Sequence, residues 1–122
     1  MRFSSDPTQN NHIRACEPGA IHLHDQIVNT NVIISANQII ADWRPPPIAQ
    51  LSINDFEQAL ALNPEVILFG TGPRQTFPDI ALLTDIMRAG VAIEVMDTVA
   101  ACRTFNVLIG EHRAAVAALL VN

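Results

Sequence analysis

Apolar positions fall in short alternating runs over the first third of the chain and in longer blocks after it. From Ile13 to Trp43 the runs have strand length. Ile21 and Leu23 alternate with His22 and His24. Asn29-Thr30-Asn31 and Ser35-Ala36-Asn37-Gln38 form turns between Gln26-Ile27-Val28, Val32-Ile33-Ile34 and Ile39-Ile40-Ala41. The pattern predicts a small antiparallel meander. Pro45-Pro46-Pro47 blocks both helix and central strand and reads as a rigid connector. Beyond it, Ser52 as N-cap and Asp55 in the first turn open a helix whose stripe is Ile53, Phe56, Ala59 and Leu60, and Asn63-Pro64 stops it. Val66 to Phe69 is a continuous apolar run, as expected of a buried parallel strand, and it ends in Gly70-Thr71-Gly72.

Pro78 suits the first position of a second helix and Asp79 its first turn, with Ile80, Leu83 and Met87 expected to face inward and Gly90 to take the left-handed position after it. Val91 to Met96 is the next strand, so residues 65–96 form a β-α-β unit with a right-handed crossover. A third helix is expected from about Thr98 to Ile109, ending at Gly110. For Ala114 to Val121 the Ala and Leu content favours helix, and a closing strand is the other reading. Residues 1–12, rich in Ser, Asn and Gln, are expected to be a flexible tail, and residues 13–122 a single α/β domain. Neither side of the proline run is long enough for a core of its own.

Composition narrows the function classes. In 122 residues there is no lysine, which excludes Schiff-base chemistry and the phosphate-binding lysine of a P-loop. A net charge of −5 argues against a nucleic-acid surface. No apolar run approaches the ~20 residues needed to span a bilayer, and the polar start resembles neither a signal nor a transit peptide. Cys16 and Cys102 are too few for a disulfide framework or a structural zinc site, which points to a reducing, cytoplasmic compartment. There is no dinucleotide fingerprint, nucleophile elbow or metal triad, and no cofactor or metal is expected.

Gly70-Thr71-Gly72 and Asp97-Thr98 are expected at the carboxyl ends of neighbouring parallel strands, the edge at which open α/β sheets bind ligands. Arg74, Arg103 and the free N–H groups at a helix start favour an anion there. A cleft of Gly70, Thr71, Gly72, Arg74, Glu94, Asp97, Thr98 and Arg103 is therefore the candidate site for a small carboxylate or phosphate. The plainer reading is a tight turn, two solvated arginines and an Asp97 that caps its own helix. Glu94 shares a strand face with Ala92 and Met96, and a mid-strand carboxylate inside a sheet needs a partner: Arg103, Arg113 or the turn amides. It is a candidate general base, one half of a buried ion pair, or a carboxylate facing a wet groove. Cys102, early in a helix, is a candidate reactive thiol, weighed against a small core residue. His22 and His24 share one face but lack a third ligand at metal spacing. Trp43 reads either as an interface anchor or as packing under the proline connector.

Two motifs carry a family resemblance. Pro64-Glu65-Val66-Ile67-Leu68-Phe69-Gly70-Thr71-Gly72, then Ala101-Cys102-Arg103-Thr104-Phe105-Asn106-Val107-Leu108 with Glu111 and Arg113, look like a widespread family of small α/β domains of unknown function. That family includes a mitochondrial assembly factor of respiratory complex I and an adipogenesis-associated protein. The resemblance covers about residues 20–121. It implies a three-layer domain with a central mixed sheet, a strand over Ala114 to Val121, no established catalysis, and action through a protein partner. The chain departs from the family pattern at Pro73, where an acidic residue is frequent, and at His112, where glycine is common. The alternative to partner binding is a small-anion binder or enzyme using the cleft, and a third reading is a redox-responsive module centred on Cys102. An exposed sheet edge is compatible with a homodimer.

Overall fold

The computed structural model describes residues 10–122; residues 1–9, most of the expected tail, lie outside the described residues. Asn11 is tied down: its N–H donates to Ala36 O at 2.8 Å and its Nδ2 to Ser35 O at 3.0 Å.

The strands are β1 (Ala15–Glu17), β2 (Ala20–His22), β3 (Ile27–Val28), β4 (Val32–Ser35), β5 (Ile39–Ala41), β6 (Val66–Thr71), β7 (Ala92–Met96) and β8 (Ala115–Leu120). The helices are α1 (Glu57–Leu60), which continues a 3-10 turn over Ile53–Phe56, α2 (Ile80–Arg88) and α3 (Thr98–Gly110). β1, β2 and β3 make a small antiparallel sheet, and the other five strands make a mixed sheet in the order β5-β4-β8-β6-β7. β6 runs parallel to both β8 and β7, whereas β4 is antiparallel to both β8 and β5.

The large sheet is covered on both faces, so its interior strands are apolar throughout rather than alternating. Val32, Ile34, Leu68, Ala117 and Leu119 point to the layer formed by α3 and the small sheet, where Ile21 and Phe105 are fully buried. Ile33, Ile67, Phe69, Val116 and Ala118 point to the opposite layer, against Trp43, Phe56, Leu82 and Ile86. This is the expected three-layer α/β architecture. Trp43 is buried there, 5% exposed, with its Nε1 donating to Asp55 O at 3.0 Å and its ring edge-on to Phe56.

Several expectations are corrected. The meander divides: β4 and β5 leave it and join the large sheet, because Val32, Ile33 and Ile34 are all fully buried and so need cover on both faces. Within the stretch Ala114 to Val121, Ala115–Leu120 is strand, as the family resemblance implied, and it sits at the centre of the sheet between β4 and β6. In α2 the inward face is Leu82 and Ile86, while Ile80 and Met87 are 76% and 57% exposed. Both sets have helical spacing, and period alone does not choose between them. Asp79 is the N-cap of α2 itself, its side chain accepting from the Ala81 N–H at 3.1 Å.

Candidate functional site

The parallel pairing of β6 and β7 brings the two polar turns together at one sheet edge. Gly72 follows β6 in the left-handed region, φ +92°, and Asp97 follows β7 as the N-cap of α3. The Thr98 N–H donates to Gly72 O at 2.9 Å, and the Gly72 N–H donates to Thr98 Oγ1 at 2.8 Å. The same hydroxyl donates to Leu120 O at 2.6 Å, so one buried threonine joins the ends of β6 and β8 to the start of α3. Gly70 lies beneath this knot, where a Cβ would stand 3.0 Å from Thr98 Cα. Thr71 Oγ1 donates to Arg74 O at 2.5 Å and accepts from the Thr76 N–H at 3.0 Å, which closes the loop after β6.

A groove of about 470 Å³ opens beside this knot, walled by Gly72, Pro73, Thr98, Val99, Pro18 and Val121. Of the eight candidate residues, Gly72 and Thr98 line it, with Gly70 and Thr71 buried directly behind. Asp97 is held in its cap by the Ala100 N–H at 2.9 Å. Arg74 is exposed on the loop after β6. Arg103 is exposed too, and it borders a second recess of about 320 Å³ with Arg14, Cys16, Cys102 and Asn106.

Glu94 stands outside the cleft. β7 is an edge strand, so the carboxylate is exposed to water rather than buried, and burial no longer demands a partner. Arg113, one of its expected partners, instead donates from Nε to Glu65 Oε1 at 2.7 Å. Glu65 also accepts the Ala114 N–H at 3.1 Å, and the guanidinium first, then this amide, holds its carboxyl below the usual range. His22 meets Glu17 at 2.6 Å and Arg14 meets His24 at 3.2 Å, so the two histidines serve separate contacts. Among the described residues no group of three or more His, Cys, Asp or Glu is placed to hold a metal.

Cys102 is 4% exposed, and burial pushes its thiol well above the ordinary value, the opposite of what a helix start does to an open cysteine. Asn106, one turn further along α3, has a clear structural use. Its Oδ1 accepts the Ile13 N–H at 2.8 Å and its Nδ2 donates to Ile13 O at 2.8 Å, so the amide acts as a short strand for the start of the small sheet.

Sequence reasoning missed the apolar walls of the groove, because Pro18 and Val121 reach it from distant segments. It also missed the outer face of α2, where Ile80 and Met87 are 76% and 57% exposed, and Phe77 just ahead of the helix, 64% exposed. The presence of two apolar stripes on one short helix was the available signal.

A model of the family described as protein of unknown function (DUF498/DUF598) matches residues 13–120, nearly all of the described chain. The chain belongs to that family. It is 34% identical over 86 residues to a protein of Francisella tularensis subsp. holarctica named 13 kDa major membrane protein, covering 70% of each. It is 36% identical over 83 residues to NADH dehydrogenase (ubiquinone) 1 alpha subcomplex assembly factor 3 of Danio rerio, covering 66% of this chain and 48% of that protein. The chain thus spans about half the length of the vertebrate relatives it matches. A crystal structure from Bordetella parapertussis superposes with a TM-score of 0.84 at 32% identity, covering 93% of this chain and 97% of that one. Among the described residues of this DUF498/DUF598 member, no helix is long and apolar enough to cross a membrane.

Proposed function

We propose that this protein works by binding another protein, in a role like that of the assembly factors it resembles, and that the outer face of α2 is the contact surface. The observation that carries this reading is the outward pair Ile80 and Met87 on α2, with Phe77 in the loop that leads into the helix, each more than half exposed. Large apolar side chains gathered on one helix face are a hallmark of an interaction surface. β7, packed beside α2, is a sheet edge with backbone groups open to a partner, and a second copy of the chain is one such partner. Cys16 and Cys102 as free thiols fit a reducing cytoplasm, where we place it.

The test compares affinity capture by the native chain, Ile80→Asp, and a control Val107→Asp, which alters another exposed apolar residue, on α3. Loss of the same captured protein, or of self-association in sedimentation, in Ile80→Asp alone supports the reading. Equal capture by all three chains overturns it.

A second reading, a small anion at the Gly72–Thr98 rim, is kept by the groove that opens there. A specific ligand raises the melting temperature by mass action. A concentration-dependent rise with phosphate or acetate, absent in Gly72→Ala, favours it, and a flat response removes it.

A further inference from the structure

We propose that Cys16 and Cys102 are a redox pair that closes into one disulfide and fastens the small sheet onto α3. The proposal uses residues remote from the α2 face and stands apart from the partner-binding reading.

The geometry begins with Asn106. Its amide clamps the Ile13 backbone with two bonds of 2.8 Å, which lays the chain entering β1 along α3. Cys102 is one turn back on the same helix, and Cys16 is the central residue of β1, three positions after the clamp. Residues four apart on a helix share a face. Cys102 accordingly belongs to the apolar cluster against which Cys16 packs, with Cys102 the more deeply buried. Both also line the recess of about 320 Å³, so a small reagent has a path to Cys16.

The oxidant is a low-molecular-weight disulfide such as glutathione disulfide. The Cys16 thiolate attacks one of its sulfurs; the reagent's S–S bond breaks, a mixed disulfide forms, and one glutathione thiolate leaves. Cys102 then attacks the Cys16 sulfur, forming the Cys16–Cys102 bond and releasing the second glutathione. The two protons lost by the protein thiols end on the two glutathiones, and the electron pair passes from the protein dithiol to the reagent. Cys16 reacts first because it is the more accessible. Burial, with Asp97 and Glu17 nearby, pushes the Cys16 thiol up, while Arg14 and Arg103 border the recess. The thiolate is scarce near neutrality, so the exchange is slow there and quickens as pH rises.

The full-length folded chain is incubated with glutathione disulfide at neutral and mildly alkaline pH, and then read by intact mass, peptide mapping and thermal melting. The expected result is the loss of two hydrogen atoms per chain, a peptide pair linked through Cys16 and Cys102, faster reaction at the higher pH, and a raised melting temperature that dithiothreitol reverses. Cys102→Ala should instead hold glutathione on Cys16, and Cys16→Ser should form no link. A native chain that keeps glutathione on Cys16 with Cys102 still free overturns the proposal, as does a link that forms only in denaturant.

Discussion

Thr98 and Gly72 exchange two hydrogen bonds, N–H to O at 2.9 Å in one direction and N–H to Oγ1 at 2.8 Å in the other. A helix start and a strand end are thereby paired as two strands would be, and the threonine hydroxyl has one further proton to give, which goes to Leu120 O. The polar groups that made this rim look like a ligand site are thus the joints of the fold. Gly72 and Thr98 also wall the groove.

Thr98→Val keeps the shape and removes the hydroxyl. It leaves the Gly72 N–H and Leu120 O without this partner in a buried setting, which costs about 1–3 kcal/mol. Thr98→Ser restores most of the loss. Urea unfolding of the three chains measures the difference, and an unchanged midpoint for Thr98→Val would refute the joint.

Gly70→Ala tests the close approach beneath the same joint. An added Cβ meets Leu119 Cδ2 at 2.9 Å and the Thr98 backbone at 3.0 Å. The leucine methyl can turn aside, whereas the helix backbone has to shift, and overpacking of this kind destabilises by about 1–3 kcal/mol. Gly110→Ala, with open space around it, is the matched control in thermal melts.

His112 adopts φ +60°, in the left-handed region. It is exposed, so little contact is lost on truncation. His112→Gly removes left-handed strain and adds freedom to the unfolded chain, and the balance is a gain of about 0.5–1 kcal/mol. A lower melting point for His112→Gly would show that the imidazole contributes more than its backbone costs.

Glu65 links acid sensitivity to the Arg113 pair. Arg113, then the Ala114 N–H, lowers its folded pKa, so its stabilising contribution is complete above the ordinary glutamate value of ~4.3 and disappears as pH falls through the lower folded value. Glu65→Gln should flatten this part of the stability–pH curve and leave the slope above about pH 5 unchanged. Unfolding midpoints across the acid range measure it, and identical acid slopes in the two chains would contradict it.

Local rules account for what could be read from the residues alone. The apolar run before Gly70, the N-caps at Ser52 and Asp97, the stop at Asn63-Pro64 and the left-handed Gly90 depend on neighbours a few positions away, and all appear in the structure. The meeting of Gly72 with Thr98 was legible too, because a β-α-β crossover has one hand and places successive strand ends on one edge. Tertiary structure alone decided that β8 takes the centre of the sheet, which draws β4 and β5 out of the meander and leaves β7 at the edge. Glu94 is exposed for that reason, and Ile80 and Met87 face outward because α2 lays Leu82 and Ile86 on the sheet instead. Strand order and the choice between two apolar helix faces are set by which distant surfaces fill the same space, and a chain's local periodicity carries no record of that.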